Sequence, residues 1–443
     1  MTAILEIPEV AGLDARRGLV RIPPELDVPL TDRVRQIIDT AEFRRLAKIS
    51  QLGLVSLVYP AALHTRFEHS LGVYRLALLL LKRLAHDDRF ARLVRPEEAE
   101  LLIVTSLLHD LGHWPFCHPI EDIRLASVPE HQLFANSFLL EGELADNLRN
   151  DWGIQPRDVV ALLSEKPWDP TSRLLGSMLS GPLDIDKMDY LFRDSLHAGV
   201  PYGRHFDQPR LIGSLCLNAS GDGLAITDKG KTAAELLVFA RYVMFSEVYW
   251  HHGVRSATAM LQRAFYLLHG ALDLDALFRM EEAPMIVELR HAAGSGPAGE
   301  LLDGLFGPKR QLYKRLGQYS FFEHREIYQR LARRPYPWLV ACAEQFAAIV
   351  SPALGRIVAP HEVIFDAPPV AREVEIDVDI YFPKEGRYRP LGEVSPVVRT
   401  LAQEQFDDYV KRVRVFVHPR ILSDLRDLSR IADLVEQAID RTE

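Results

Sequence analysis

The sequence predicts a mostly α-helical catalytic core followed by a smaller C-terminal α+β region. Two observations carry this. Apolar residues recur at helical spacing, between Gly and Pro breaks, from Thr31 to Leu268, whereas short alternating apolar runs take over beyond Asp273. With 443 residues, 48% of them hydrophobic, the chain is long enough for a large core and for two or three domains.

Taken in order, residues 1–30 carry Pro8, Pro23, Pro24 and Pro29 and read as an irregular or short-stranded lead-in. Residues 31–272 read as the helical domain. Thr31 is an expected N-cap, with Val34, Ile37, Ile38 and Phe43 behind it at near-helical spacing. His69–Leu84 and Glu97–Leu111 are the strongest helices, the second interrupted by Gly112 and Pro115. If the helical path runs from Leu101 on to Trp114, His109 and His113 stand one turn apart on a single face. A short pattern spans Ser172–Leu179. Gly181-Pro182 breaks it, a new helix runs from Pro182 past Leu191, and a longer pattern fills Thr232–Leu268. Residues 273–443 read as the α+β region, with a loop over Ala293–Gly299 and strands at Val363–Phe365, Val374–Phe382 and Val413–Val417.

Composition narrows the function. A formal net charge of −9 argues against broad electrostatic binding of nucleic acid or anionic membrane, so a polyanionic substrate requires a local cluster of Arg and Lys. Three widely spaced cysteines fit a reducing compartment better than a disulfide framework. The first residues lack the features of a signal peptide, and the apolar run Leu76–Leu81 is stopped by Lys82 and Arg83. A cytoplasmic location is the expectation.

Of the 16 histidines, seven lie between His64 and His131, several beside carboxylates. Neutral imidazole and carboxylate together are a ligand set for a divalent metal that leaves positions open for water and phosphate. A lone histidine is usually a packed or surface residue, and His64, His86 and His251-His252 are read that way. His109-Asp110 followed by His113 and His118 is read as a site.

His69, then His109-Asp110-Leu-Gly-His113-Trp-Pro-Phe-Cys-His118, then Asp186 in Leu183-Asp-Ile-Asp186-Lys-Met-Asp-Tyr190, reproduces the ordered His…His-Asp…Asp signature of the HD superfamily. Ile37–Leu46, Gln51-Leu-Gly53, His64–Val73, Ala240–Met244 and Val248–His252 resemble its deoxynucleoside triphosphate triphosphohydrolase branch. The resemblance implies one divalent ion (Mn, Mg, Fe, Ni or Zn) held by His69, His109, Asp110 and Asp186. It implies that His113, His118 and His131 surround the scissile phosphate, with His118 protonating the leaving 5′ oxygen under the support of Glu121. It implies phosphate contacts from Arg66, Lys187 and Arg255, and a deoxyribose site from Gln51, Leu52, Tyr190 and Asp194. It also implies a homo-oligomer, a dimer or tetramer. Two departures carry expectations of their own: Trp114 narrows the pocket, and Gln132 leaves His131 without the acidic neighbour usual in the family.

Two other readings fit the same residues. A phosphomonoesterase or phosphodiesterase acting on other nucleotides would keep the four ligands without needing Lys187 and Arg255 together. A nucleotide-binding regulator with a vestigial site would keep the fold without the chemistry.

Overall fold

In the computed structural model, 62% of the chain is helical and 9% strand, which makes the fold mostly α. The structure describes all residues except 1–2, 25, 165–167, 371–377, 405–407, 409 and 429. The lead-in forms a short helix, Pro8–Gly12, and an antiparallel hairpin of β1 (Leu19–Ile22) and β2 (Leu26–Pro29). Thr31 caps the next helix, its hydroxyl oxygen accepting from the Val34 amide.

The centre of the catalytic core is the helix Arg66–Leu84, packed against Pro96–Leu108 and Ile185–Ala198. The helix is buried nearly all round, and Leu71, Val73, Leu78 and Leu81 join Leu102, Leu107 and Met188 in one contiguous apolar cluster. Gly72 lets the third helix approach closely. A Cβ at that position would meet the Asp189 carboxylate at 1.9 Å and the Arg193 guanidinium at 2.4 Å.

The structure corrects three helix boundaries. Pro96–Leu108 ends before the motif, so His109 is its C-terminal cap and His113 sits in the following turn rather than on the same helical face. The Thr232–Leu268 pattern is two helices, Lys231–Met244 and His252–Leu268, separated by a wide turn at Phe245–Tyr249. Apolar periodicity runs across that break because both helices bury the same kind of face. The Ala293–Gly299 loop is shorter than expected, since Pro297 already starts the helix Pro297–Phe306.

Two further sheets form. One has the order β3 (Leu215–Leu217), β4 (Leu224–Thr227), β7 (Asp379–Phe382), β8 (Arg387–Pro390), with β4 and β7 parallel. The other places β9 (Val413–Val417) between β5 (Lys314–Tyr319) and β6 (Val363–Asp366). The expected strand Val374–Phe382 falls partly outside the described residues, and its described end is β7. The first sheet unites residues from either side of position 272, and the main core continues through Met285, Leu301 and Leu305 to Ile380 and Phe416. A second core, from Tyr319 to Ile439, packs Tyr336–Ala353 against Ile431–Thr442. The expected division at 272/273 therefore cuts through a shared core.

Candidate active site and metal centre

His69, His109, Asp110 and Asp186 meet where three helix ends converge. His69 lies in the first turn of Arg66–Leu84, His109 and Asp110 follow the end of Pro96–Leu108, and Asp186 opens Ile185–Ala198 behind its N-cap Asp184. Each imidazole has one nitrogen already committed. His109 Nδ1–H donates to the Ser106 carbonyl at 2.9 Å, and His69 Nδ1–H donates to the Asp189 carboxylate at 2.8 Å. Both Nε2 atoms are thereby turned to the site, 3.1 Å apart. Asp186 Oδ1 lies 3.0 Å from the first and 3.7 Å from the second, and Asp110 Oδ1 is 3.4 Å from His109 Nε2. Burial opposes charge on His69, yet Asp186 and Asp189 outweigh it and push its pKa up to about 10. This donor set fits a divalent metal, with second carboxylates and carbonyls fixing the ligands.

A second group of histidines adjoins the first. His113 Nδ1 lies 3.1 Å from Asp110 Oδ1, and its ring packs 3.9 Å from that of His131 and 5.1 Å from that of His118. Burial, together with Arg66, holds the His113 pKa well below its ordinary value. Gly112 makes this possible, because a Cβ there would lie 2.0 Å from the His131 carbonyl oxygen. Glu121 accepts from the His131 amide at 2.7 Å and from its Nδ1–H at 2.9 Å, and lies 3.6 Å from His118 Nδ1. Burial raises the Glu121 pKa, but His118 and His131 outweigh it and hold the carboxyl far below the usual range. The expectation that Gln132 leaves His131 without an acid is corrected: Glu121 supplies it, and holds His131 more closely than the His118 it was expected to support.

These groups line a cavity of about 560 Å³, together with Arg66, Arg255, Gln51, Leu52, Tyr190 and Asp194. Arg66 donates to Asp110 Oδ2 at 2.8 Å. Arg255 is paired bidentately with Asp366 (2.6 and 3.2 Å). The Gln51 side-chain oxygen is buried without a hydrogen-bond partner among the described residues. Asp194 accepts from Tyr249 at 2.6 Å and lies 2.9 Å from His64 Nε2, whose ring stacks on His197.

Two expected positions differ. Lys187 is not among the cavity-lining residues. Its ammonium donates to Asp184 Oδ2 at 2.5 Å and to the Gly181 carbonyl at 3.1 Å, because one residue along a helix turns a side chain about 100° away from Asp186. Trp114 does not narrow the cavity either. It is fully buried, stacked on Phe278 at 4.1 Å.

Sequence reasoning missed Asp189, Tyr249 and Lys411. The first has a local signal, three residues after Asp186 on the same helix. Tyr249 and Lys411 reach the site only through tertiary packing. His64 is packed, as read, but its contact with Asp194 was not legible.

Comparison with known proteins agrees with this arrangement. The pattern of the HD domain matches residues 66–167, and that of the HD associated region matches residues 206–431. An uncharacterized protein of Methanocaldococcus jannaschii is 31% identical over 379 residues, covering 85% of this chain and 74% of that one. A protein of Dictyostelium discoideum named as a homolog of the deoxynucleoside triphosphate triphosphohydrolase SAMHD1 is 28% identical over 251 residues. That match covers 54% of this chain and 47% of the relative, about half its length. The solved structure of a hypothetical protein from Aquifex aeolicus superposes with a TM-score of 0.70 at 28% identity, over 92% of this chain and 98% of that one.

Proposed function

Since this chain belongs to the HD-domain phosphohydrolase family and carries its HD associated region as well, we propose that it hydrolyses deoxynucleoside triphosphates to deoxynucleoside and inorganic triphosphate. The observation that carries the reading is one cavity that joins the His69–His109–Asp110–Asp186 cluster to Arg66 and Arg255 and to the Gln51, Leu52, Tyr190 and Asp194 wall.

When bound by these four residues, a divalent ion would polarise a phosphate oxygen and a water molecule. The remaining chemistry belongs to the chain. Arg66, tied to Asp110, and Arg255 offset the negative charge of the phosphates. Glu121 holds His131 and lies beside His118, so that one of this pair delivers a proton to the leaving 5′ oxygen; we assign it to His118, the more exposed. His113, kept neutral by burial, hydrogen-bonds the phosphoryl oxygens. Tyr190 and Leu52 pack against the sugar. Asp194, held by Tyr249 and His64, accepts from its 3′ hydroxyl, and the close wall disfavours a 2′ hydroxyl. The structure does not favour Lys187 as a phosphate contact. We assign self-association to the chain as well, and light scattering of the purified protein should show a dimer or tetramer.

Product analysis tests the activity. With Mn or Mg added, deoxynucleoside and intact triphosphate are expected from one or more of the four dNTPs, with ribonucleotides cleaved more slowly. Asp110→Ala should abolish both bound metal and turnover while the protein stays folded. Free phosphate from monophosphates, with dNTPs untouched, would replace this reading with that of a phosphomonoesterase.

A further inference from the structure

Cys117 and Glu121 stand four residues apart on the helix Cys117–Glu121 and so share one of its faces, and His131 reaches the same point from the helix His131–Phe134. One donor atom from each of the three lies within 4.8 Å of the other two. The Cys117 thiol hydrogen-bonds to the Glu121 carboxylate, which also accepts from His131 Nδ1–H at 2.9 Å. Cys117, His118 and His131 all line the cavity, so this cluster opens onto the same space as His69, His109, Asp110 and Asp186.

Sulfur, imidazole nitrogen and carboxylate oxygen are the donors of zinc-type sites, where bonds of about 2.0–2.3 Å hold the ligand atoms roughly 3.5 Å apart. Movement of about 1 Å closes the cluster to that spacing. The fourth position falls to water or to His118, whose Nδ1 is 3.6 Å from the same carboxylate. The two clusters differ in kind. Two imidazoles with two carboxylates suit a wide range of divalent ions, whereas a thiolate favours softer ones. Burial and the Glu121 charge hold the Cys117 thiol well above its ordinary pKa. A bound cation reverses that balance by displacing the proton, so binding strengthens as pH rises. Neither Cys216 nor Cys342 belongs to such a group among the described residues.

We propose that Cys117, Glu121 and His131 form a second metal site that takes zinc or another soft divalent ion. On binding, the thiol proton leaves to solvent, and the His131 ring proton moves to Nε2 as Nδ1 turns from the carboxylate to the ion. Occupancy takes Glu121 and His131 away from His118, so the site is inhibitory. That consequence rests on the proton-delivery and triphosphohydrolase readings above; the binding does not.

Cadmium titration of the metal-free full chain tests the site, because a cadmium-bound thiolate adds an ultraviolet charge-transfer band. The band should appear in wild type, in Cys216→Ala and in Asp110→Ala, whose other cluster is disabled. It should vanish in Cys117→Ala, a change that keeps the position small and apolar. Glu121→Gln, which preserves the packing, should weaken cadmium binding about 100-fold or more, beyond the usual cost of losing a supporting residue. No band in wild type, an undiminished band in Cys117→Ala, or unchanged affinity in Glu121→Gln overturns the assignment. Turnover separates the site from the readings it borrows. Zinc beyond the amount that fills the His69–His109–Asp110–Asp186 cluster should slow wild-type dNTP hydrolysis about 100-fold, the worth of a general acid, and spare Cys117→Ala. If the Cys117-dependent band forms while zinc leaves turnover unaffected, the proton-delivery reading fails alone. If the band forms but no dNTP is cleaved, the triphosphohydrolase reading fails alone. If dNTPs are cleaved and wild type shows no band, the metal site fails alone.

Discussion

Asp189 shows how much of a metal centre lies behind its ligands. It accepts from His69 Nδ1 and is itself gripped by Arg193 through two hydrogen bonds of 2.7 and 2.8 Å, and Arg193 also holds Glu68. Asp189→Asn should keep the fold but lose control of the His69 tautomer, lowering metal affinity by about 10- to 100-fold. Metal content after dialysis against graded chelator would measure it, and wild-type retention would refute it. At this scale the sequence was most informative where function rests on short-range spacing. His109, Asp110 and His113 are neighbours in the chain, and no tertiary contact was needed to group them. Lys187 pairs with Asp184 instead, because adjacency to Asp186 says nothing about direction and the Asp184 cap captures it three residues on, a local detail of the helix start. Lys411 carries no local signal at all, standing 225 positions beyond Asp186.

Elements position these residues through close approaches that only small side chains permit. The turn after Pro96–Leu108 brings His113 under His131 because Gly112 leaves room for the His131 carbonyl. Gly112→Ala should destabilise the protein by about 2 kcal/mol, as overpacking does. It should also lower kcat, since the displaced carbonyl belongs to a catalytic candidate. Denaturant unfolding and steady-state kinetics on one preparation would show both, and a normal kcat would break the link. Farther along, Pro297–Phe306 is joined to the second core by Glu300 and Glu362, which share Arg420 at 2.6 Å each, with His361 also on Glu300. Burial raises the pKa of both carboxyls, but His361 and Arg420 outweigh it at Glu300, and Arg420 with the Ala359 amide at Glu362, so both lie below their ordinary value of 4.5 in the folded chain. A depressed carboxylate contributes stability above its unfolded pKa and loses it as pH falls through the folded one. Stability should therefore fall as pH drops below about 4.5, and Arg420→Gln should flatten that slope. Urea midpoints from pH 6 to pH 3 would test it; parallel slopes in the two proteins would count against the cluster. Helix existence was legible from periodicity, whereas the break at Phe245–Tyr249 was not, since no Pro or Gly marks it.

For the whole molecule, residues of the catalytic region and of the C-terminal region share one apolar cluster and one sheet. From beyond residue 272, Lys411 lines the cavity, Asp366 pairs with the cavity-lining Arg255, and Met285, Leu301 and Leu305 join the main core. A chain ending at residue 272 should lose near-ultraviolet circular dichroism, expose apolar surface and release no product. A cooperative thermal transition in that fragment would show the catalytic region to be independent. No helix among the described residues is long and apolar enough to cross a membrane. The mostly α class was legible because helical periodicity is a local signal, but the joining of the two regions was not, because it is made by strands distant in sequence.

The parallel pairing of β4 with β7 sets a timetable for synthesis. Ala225 finds Asp379, and Ile226 finds Ile380, only after about 150 further residues have left the ribosome. Until then the β3–β4 hairpin has an unpaired edge, and the wall that carries Arg255 lacks its Asp366 counter-ion. The nascent protein thus passes through a long interval with His69, His109, Asp110 and Asp186 already translated and the Arg255 wall still without β6 and β9.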